Sequence, residues 1–212
     1  MTLDLFRLPR ADQPRWIAER LAVPAPAEAR GLSDGFRLPG REGAVRPAAV
    51  LVPIVDREDG PTVLLTQRSS ALRDHPGQIS FPGGSLHAED DGPRAAALRE
   101  AEEEVGLASD RVALLGELAD YETVTGFRVT PVVGWVAPPF DLRLDPVEVA
   151  DAFEVPLAFL LDPGHQQRHF RMLGTVRRDF WAIPWRDRYI WGATAAMLLM
   201  LDRTLRAVPA AR

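Results

Sequence analysis

The sequence contains no cysteine and no lysine. The first absence excludes disulfides, thiolate metal sites and cysteine nucleophiles, and it fits a reducing compartment. The second removes Schiff-base chemistry and the phosphate-binding lysine of P-loop proteins. All 25 residues counted as Lys or Arg are therefore arginine. Long apolar runs are also missing. The longest, Ile190 to Leu201, spans about 12 residues, whereas a bilayer-crossing helix needs roughly 20. Met1 to Arg10 lacks the apolar stretch of a signal peptide. A cytoplasmic protein with no membrane contact is the expectation. No basic run stands out against a net charge of −5, so nucleic acid, which demands a basic footprint, is not an expected partner. A small phosphorylated ligand needs only a local basic pocket.

The chain has 212 residues, of which 46% are apolar. That is enough for one sizeable core with a small appendage. Asp12 to Val23 places Trp16, Ile17 and Leu21 at helical spacing. Pro24 to Pro47 is rich in Pro, Gly and Ala and reads as an irregular arm. We expect residues 1–44 to form this helix and arm, and 45–207 to form the main domain. Ala48 to Val55 is a buried strand by composition, and Thr62 to Thr66 is its hairpin partner across the Asp56–Gly60 turn. Arg68 to Gln78 is a polar loop, Ile79 to Phe81 a short strand ended by Pro82-Gly83-Gly84, and Pro93 to Val105 a helix. Asp91 is positioned to cap that helix and Gly106 to end it. Val112 to Leu118 and Phe127 to Val136 read as strands, and Pro131 in the second predicts an edge or a bulge. Pro156 to Leu161 reads as a short helix, and Arg168 to Leu173 with Thr175 to Ile183 as a hairpin turning at Gly174. Ile190 to Ala207 reads as a final buried helix. Strands and helices alternate too irregularly for repeated βαβ units. A mixed sheet covered by helices fits best.

The informative segment is Arg99-Glu100-Ala101-Glu102-Glu103-Glu104-Val105-Gly106. On a helix Glu100, Glu103 and Glu104 fall within an arc of about 100°. Leu98, Ala101 and Val105 gather on a broadly opposing face, suited to a sheet, and Glu102 points to solvent. A solvated acidic face is the commoner meaning of three such glutamates. What changes the reading is Phe81-Pro82-Gly83-Gly84 ahead of them, a strand end and glycine turn where backbone carbonyls can approach a cation. Three carboxylates on one arc repel one another. A hard divalent ion, Mg²⁺ or Mn²⁺, prefers such oxygen ligands.

The same residues resemble the Nudix box: Gly, five residues, Glu, seven residues, then Arg-Glu-apolar-any-Glu-Glu-any-Gly-apolar. Gly84 opens it, and Arg99 to Leu107 match its second half completely. The first half departs from the pattern. It carries one extra residue, and Asp90 or Asp91 stands for the first glutamate. Leu64 to Gly84, read as LLTQRSSALRDHPGQISFPGG, is similar to the upstream signature of the coenzyme A pyrophosphatase branch, which also tends to carry the insertion. Thr125 to Gly134, Phe153 to Leu157 and Ile190 to Ala195 resemble later blocks of that branch.

The resemblance implies an α/β fold, a Nudix-type α/β/α sandwich around a mixed β-sheet. It implies hydrolysis of a nucleoside-linked diphosphate, here coenzyme A or an acyl derivative, cut to 3′,5′-ADP and 4′-phosphopantetheine. Glu100 and Glu104 are expected as metal ligands, Glu103 as a third ligand or base, and the Gly84 carbonyl as a further ligand. Arg99 is expected to orient Glu103. The general base stays open among Glu103, Glu122 and Glu154. Arg68 and Arg73 are candidates for the substrate phosphates, since guanidinium forks suit phosphate oxygens, with His75 and Gln78 lining the same loop. Other nucleoside diphosphate derivatives (ADP-ribose, NADH, a dinucleotide, a nucleotide sugar) remain alternatives, as does a non-catalytic nucleotide-sensing module. A homodimer is compatible with the sequence. His165 and His169 do not make a zinc-protease motif, because Gln166 follows where that motif has Glu. Phe180, Trp181, Trp185 and Trp191 read as core rather than as an adenine stack.

Overall fold

A computed structural model of the chain describes residues 3–30, 32–34, 43–72 and 75–207. Its centre is the run of apolar residues predicted first. Strand β1 (Arg46–Val55) lies parallel to β7 (Phe127–Val136) over its whole length, Arg46 opposite Phe127 and Val55 opposite Val136. All other pairings in the sheet are antiparallel. They join β2 (Thr62–Arg68), β3 (Ile79–Ser80), β4 (Gly83–Ser85), β5 (Val112–Glu117), β6 (Tyr121–Glu122) and β8 (Val149–Pro156) in one eight-stranded mixed sheet.

Successive strand residues face opposite sides of a sheet, and two hydrophobic clusters result. Ala48, Val52 and Ile54 of β1, with Val133 and Trp135 of β7, face α1 (Gln13–Leu21) and α5 (Ala193–Arg206). Ala49 and Leu51, with Val132 and Val136, face Ala97, Ala101 and Val105 of α3 (Gly92–Val105). The architecture is thus helix, mixed sheet, helix. No described helix is long and apolar enough to cross a membrane.

The sheet corrects several sequence expectations. Gly83-Gly84-Ser85 does not simply end a strand. It forms β4, paired with Ala48–Val50 of β1. β7 is interior, not an edge. Pro131 is tolerated there because it lies at the break between β5 and β6, where its carbonyl accepts from Leu118 and the ladder is interrupted. β8 was hidden by its alternating charged residues. Among its described residues, the arm at Pro24–Pro47 forms one helical turn, α2 (Ala27–Arg30), before β1 begins. Asp91 occupies the position before α3 but makes no side-chain cap bond. Gly106 does end α3. Its φ is 69°, its N–H donates to the Glu102 carbonyl, and Leu107 donates back to Ala101, the bond pair of a left-handed helix stop.

A second sheet follows the short α4 (Leu157–Leu160). β9 (Gln167–Leu173), β10 (Val176–Trp185) and β11 (Arg188–Trp191) form an antiparallel meander. Ile190 and Trp191, expected in the last helix, belong to β11, and α5 begins after Gly192. Trp181 and Trp185 pack against the core. Phe180 and Trp191 are half-buried and meet edge-on at 5.5 Å.

Candidate active site around the carboxylate helix

The last turns of α3 lie against β4, and a side chain at Gly84 would have to push the Glu100 carboxylate aside. A Cβ there would stand 2.5–2.6 Å from the Glu100 carboxylate. Glu104, one turn later, is 3% exposed and accepts from the Gly83 N–H at 3.3 Å. Its nearest cation is Arg68 on β2, with Nη1 3.9 Å from Oε1. The Nε of Arg68 is buried and has no hydrogen-bond partner among the described residues. Burial pushes the Glu104 carboxyl up to about 8. Arg68 and the Gly83 N–H work against that rise, and the charges of Glu100 and Glu148 add to it.

Glu103 goes elsewhere. It is 59% exposed and held by Arg99 at 3.0 Å. The Arg99 guanidinium organises the whole outer side of the site. Nε and Nη2 grip the two carboxylate oxygens of Asp90, each at 3.0 Å, while Nη1 donates to Glu100 at 2.8 Å and Nη2 to the Ser85 carbonyl at 3.2 Å. The fork on Asp90, with the His87 N–H, lowers that carboxyl to about 2. Asp90, not Asp91, is therefore the residue engaged by the helix arginine.

Arg68 reaches inward because its backbone is locked to the far side of its loop. Its N–H donates to Gln78 and its carbonyl accepts from Gly77. His75, with φ 58°, sits at the turn of that loop, and its carbonyl accepts from Gln78. Gln78 and His75 are both half-buried. Arg73 lies outside the described residues.

Three further acids mark where sequence reasoning was incomplete. Glu122 on β6 pairs with Arg128 at 3.0 Å. Glu154 on β8 receives the Arg57 fork at 3.0 and 2.5 Å and the Thr62 hydroxyl at 2.5 Å. Glu148, which the sequence did not single out, is the acid whose charge reaches Glu104. The segment before β8 folds over the end of α3, where Asp145 N–H donates to the Glu104 carbonyl and Arg143 N–H to that of Val105. The Glu148 carbonyl then accepts from Ser69, next to Arg68. No local pattern announces this; only the long-range hydrogen bonds bring Glu148 in.

Among the described residues, no three acidic or histidine side chains already form a metal cage. The donor set nevertheless fits a hard cation. Glu104 is a deeply buried carboxylate facing a single guanidinium at nearly 4 Å, Glu100 stands beside it, and both border a side-chain-free turn. All available donors are oxygens, the set that Mg²⁺ and Mn²⁺ prefer.

Comparison with known proteins agrees. The NUDIX domain model matches residues 45–173, more than half of the chain. An uncharacterized Nudix hydrolase, NudL, of Escherichia coli K12 is 44% identical over 169 residues, covering 77% of this chain and 85% of the relative. The NudL of Enterobacter sp. strain 638 is 41% identical over 157 residues, covering 72% and 79%. A crystal structure of a Caenorhabditis elegans Ap4A hydrolase binary complex aligns with 52% of this chain and 80% of its own at 22% identity and a TM-score of 0.46. From the family match and the sequence relatives it follows that the chain belongs to the Nudix hydrolase family, pyrophosphohydrolases that act on small molecules and generally use divalent metal ions.

Proposed function

We propose that the substrate is coenzyme A or an acyl derivative and that its diphosphate is cut to 3′,5′-ADP and (acyl-)4′-phosphopantetheine. The observation that carries the diphosphate chemistry is Arg68, a guanidinium turned inward beside the buried Glu104 with its Nε unpartnered. A cation next to a metal-binding carboxylate is where a substrate phosphate belongs. The choice of coenzyme A rests on the Leu64–Gly84 segment, whose residues supply this same loop.

In this reading Glu100 and Glu104 hold Mg²⁺ or Mn²⁺, with the Gly84 carbonyl as a further ligand. When bound, the ion neutralises charge on the diphosphate and acidifies a bound water. Glu148 joins Glu103 as a candidate for the remaining carboxylate role, ligand or base. Glu122 and Glu154 are poorer candidates because they lie on β6 and β8 and, unlike Glu103 and Glu148, are not tied to the end of α3 that carries Glu100 and Glu104. Arg99 is a positioning residue that fixes Glu100 through its own anchor on Asp90. Arg68, His75 and Gln78 border the phosphates of the substrate, and Arg73 joins them as a candidate from its place in the same sequence segment. The protein acts in the cytoplasm on a small molecule, without nucleic acid or membrane.

The test is product identification with coenzyme A in the presence of Mg²⁺ or Mn²⁺, run beside ADP-ribose and NADH. Release of 3′,5′-ADP at the highest kcat/KM supports the proposal. Faster cleavage of ADP-ribose or NADH would move the substrate within the family. Saturable binding of nucleotides without turnover would mean a sensing module.

A further inference from the structure

A cavity of about 530 Å³ does not open on the metal-site glutamates. It lies where the end of α1 leaves the sheet, beside β5, and shares no lining residue with the active site. β5 is the last strand on its side of the sheet. α1 seats so tightly on it that a Cβ at Gly116 would stand 2.7 Å from that of Leu21. Beyond Leu21 the chain turns away through Pro24, and the gap opens. Leu21, Val23, Leu115 and Leu118 supply apolar walls. Two arginines border it. Arg94, from the first turn of α3, is taken by Glu117 at 2.7 Å. Arg30 of α2 is exposed, and its guanidinium makes no hydrogen bond or ion pair among the described residues. On the α5 side stands Thr204, 3% exposed.

We propose that this cavity binds an amphipathic anion, its apolar body between α1 and β5 and its charged end at Arg30, with a medium-chain carboxylate as the simplest case. The size lies within the roughly 300–1,000 Å³ of small-molecule sites, and the lining is divided almost evenly between polar and apolar surface, which suits a ligand of both characters. The charge follows from Arg30, a free cation at the cavity of a chain whose net charge is −5.

The test is isothermal titration calorimetry of the full chain with sodium octanoate, and with octanol and inorganic phosphate as tail-only and charge-only probes. Octanoate is expected to bind saturably and more tightly than either. Arg30→Ala should weaken it about 2- to 5-fold, the modest effect of an exposed charge pair. Ala22→Trp, at an exposed position of the wall, should abolish binding while leaving the melting temperature and diphosphate hydrolysis unchanged. Because binding is read directly, the result is independent of which diphosphate the enzyme cleaves. No saturable octanoate binding, octanol or phosphate binding as tight as octanoate, or octanoate binding that survives Ala22→Trp would each overturn the proposal.

Discussion

Two glutamates on the same face of the sheet are treated in opposite ways. Glu154 of β8 sits opposite Leu64, and the Glu104 partner Arg68 is four residues further along β2, roughly 13 Å away at about 3.3 Å per residue. At Glu154, burial by itself would raise the carboxyl, but the Arg57 fork and the Thr62 hydroxyl outweigh it and hold the group below its ordinary value. At Glu104, burial wins and carries the group to about 8. A carboxylate that serves only structure is given its partners by the chain. One left under-compensated at the end of a helix, beside two glycines and a second glutamate, has room for a charge the described residues do not supply.

The sharpest way to break this contrast is Glu104→Gln. If the residue holds a metal ion worth several kcal/mol of transition-state stabilisation, kcat falls by about 10²- to 10⁴-fold, with a melting temperature near that of the parent. A variant retaining full turnover of its best diphosphate substrate would remove Glu104 from the chemistry. Gly84→Ala comes next. Its methyl group must displace the Glu100 carboxylate, and misplacing a reacting group by an ångström costs about 10²-fold, measurable as kcat/KM without loss of the folded state.

Mg²⁺ or Mn²⁺ at 100 times its dissociation constant should stabilise the protein by about 2.7 kcal/mol. Differential scanning calorimetry should show that gain persisting in Glu154→Gln and vanishing in Glu104→Gln. Equal gains in both variants would erase the distinction between the two acids. The smallest effect belongs to Glu154→Gln itself, about 1 kcal/mol of stability after solvent screening, with kcat within about twofold of the parent, the usual scale for a residue outside the chemistry. Its pH dependence has a definite sign. The folded carboxyl lies below its ordinary 4.5, so the contribution is present above that pH and is lost as pH falls through the folded value. Parent and variant should therefore converge in acid urea melts.

Much of this was legible in the residues. β7 has the predicted bounds, Phe127–Val136, because its apolar residues are continuous. α3 ends at Gly106 because only a glycine is comfortable at φ 69° beside the Arg143 backbone. Spacing also put Glu100, Glu103 and Glu104 on one arc. It did not give depth: Glu104 slides under β4 while its neighbour Glu103 stays in solvent under the hand of Arg99. The rest was set by tertiary pairing. β4 is a strand of glycines with no strand propensity, made by β1 lying next to it. β11 and α5 share one apolar run, and only the pairing of Ile190 with Ile183 divides them. Glu148 enters the site through hydrogen bonds to residues far away in the chain, which no local pattern records.

The parallel contact between β1 and β7 has a kinetic consequence. Its paired residues lie about 80 positions apart, and the helix bearing the glutamates is wholly inside the loop that this contact closes. Ordering that loop costs chain entropy before any ladder bond repays it. The buried setting of Glu104 beneath β4, a strand itself carried by β1, is therefore expected to be completed only when the centre of the sheet forms.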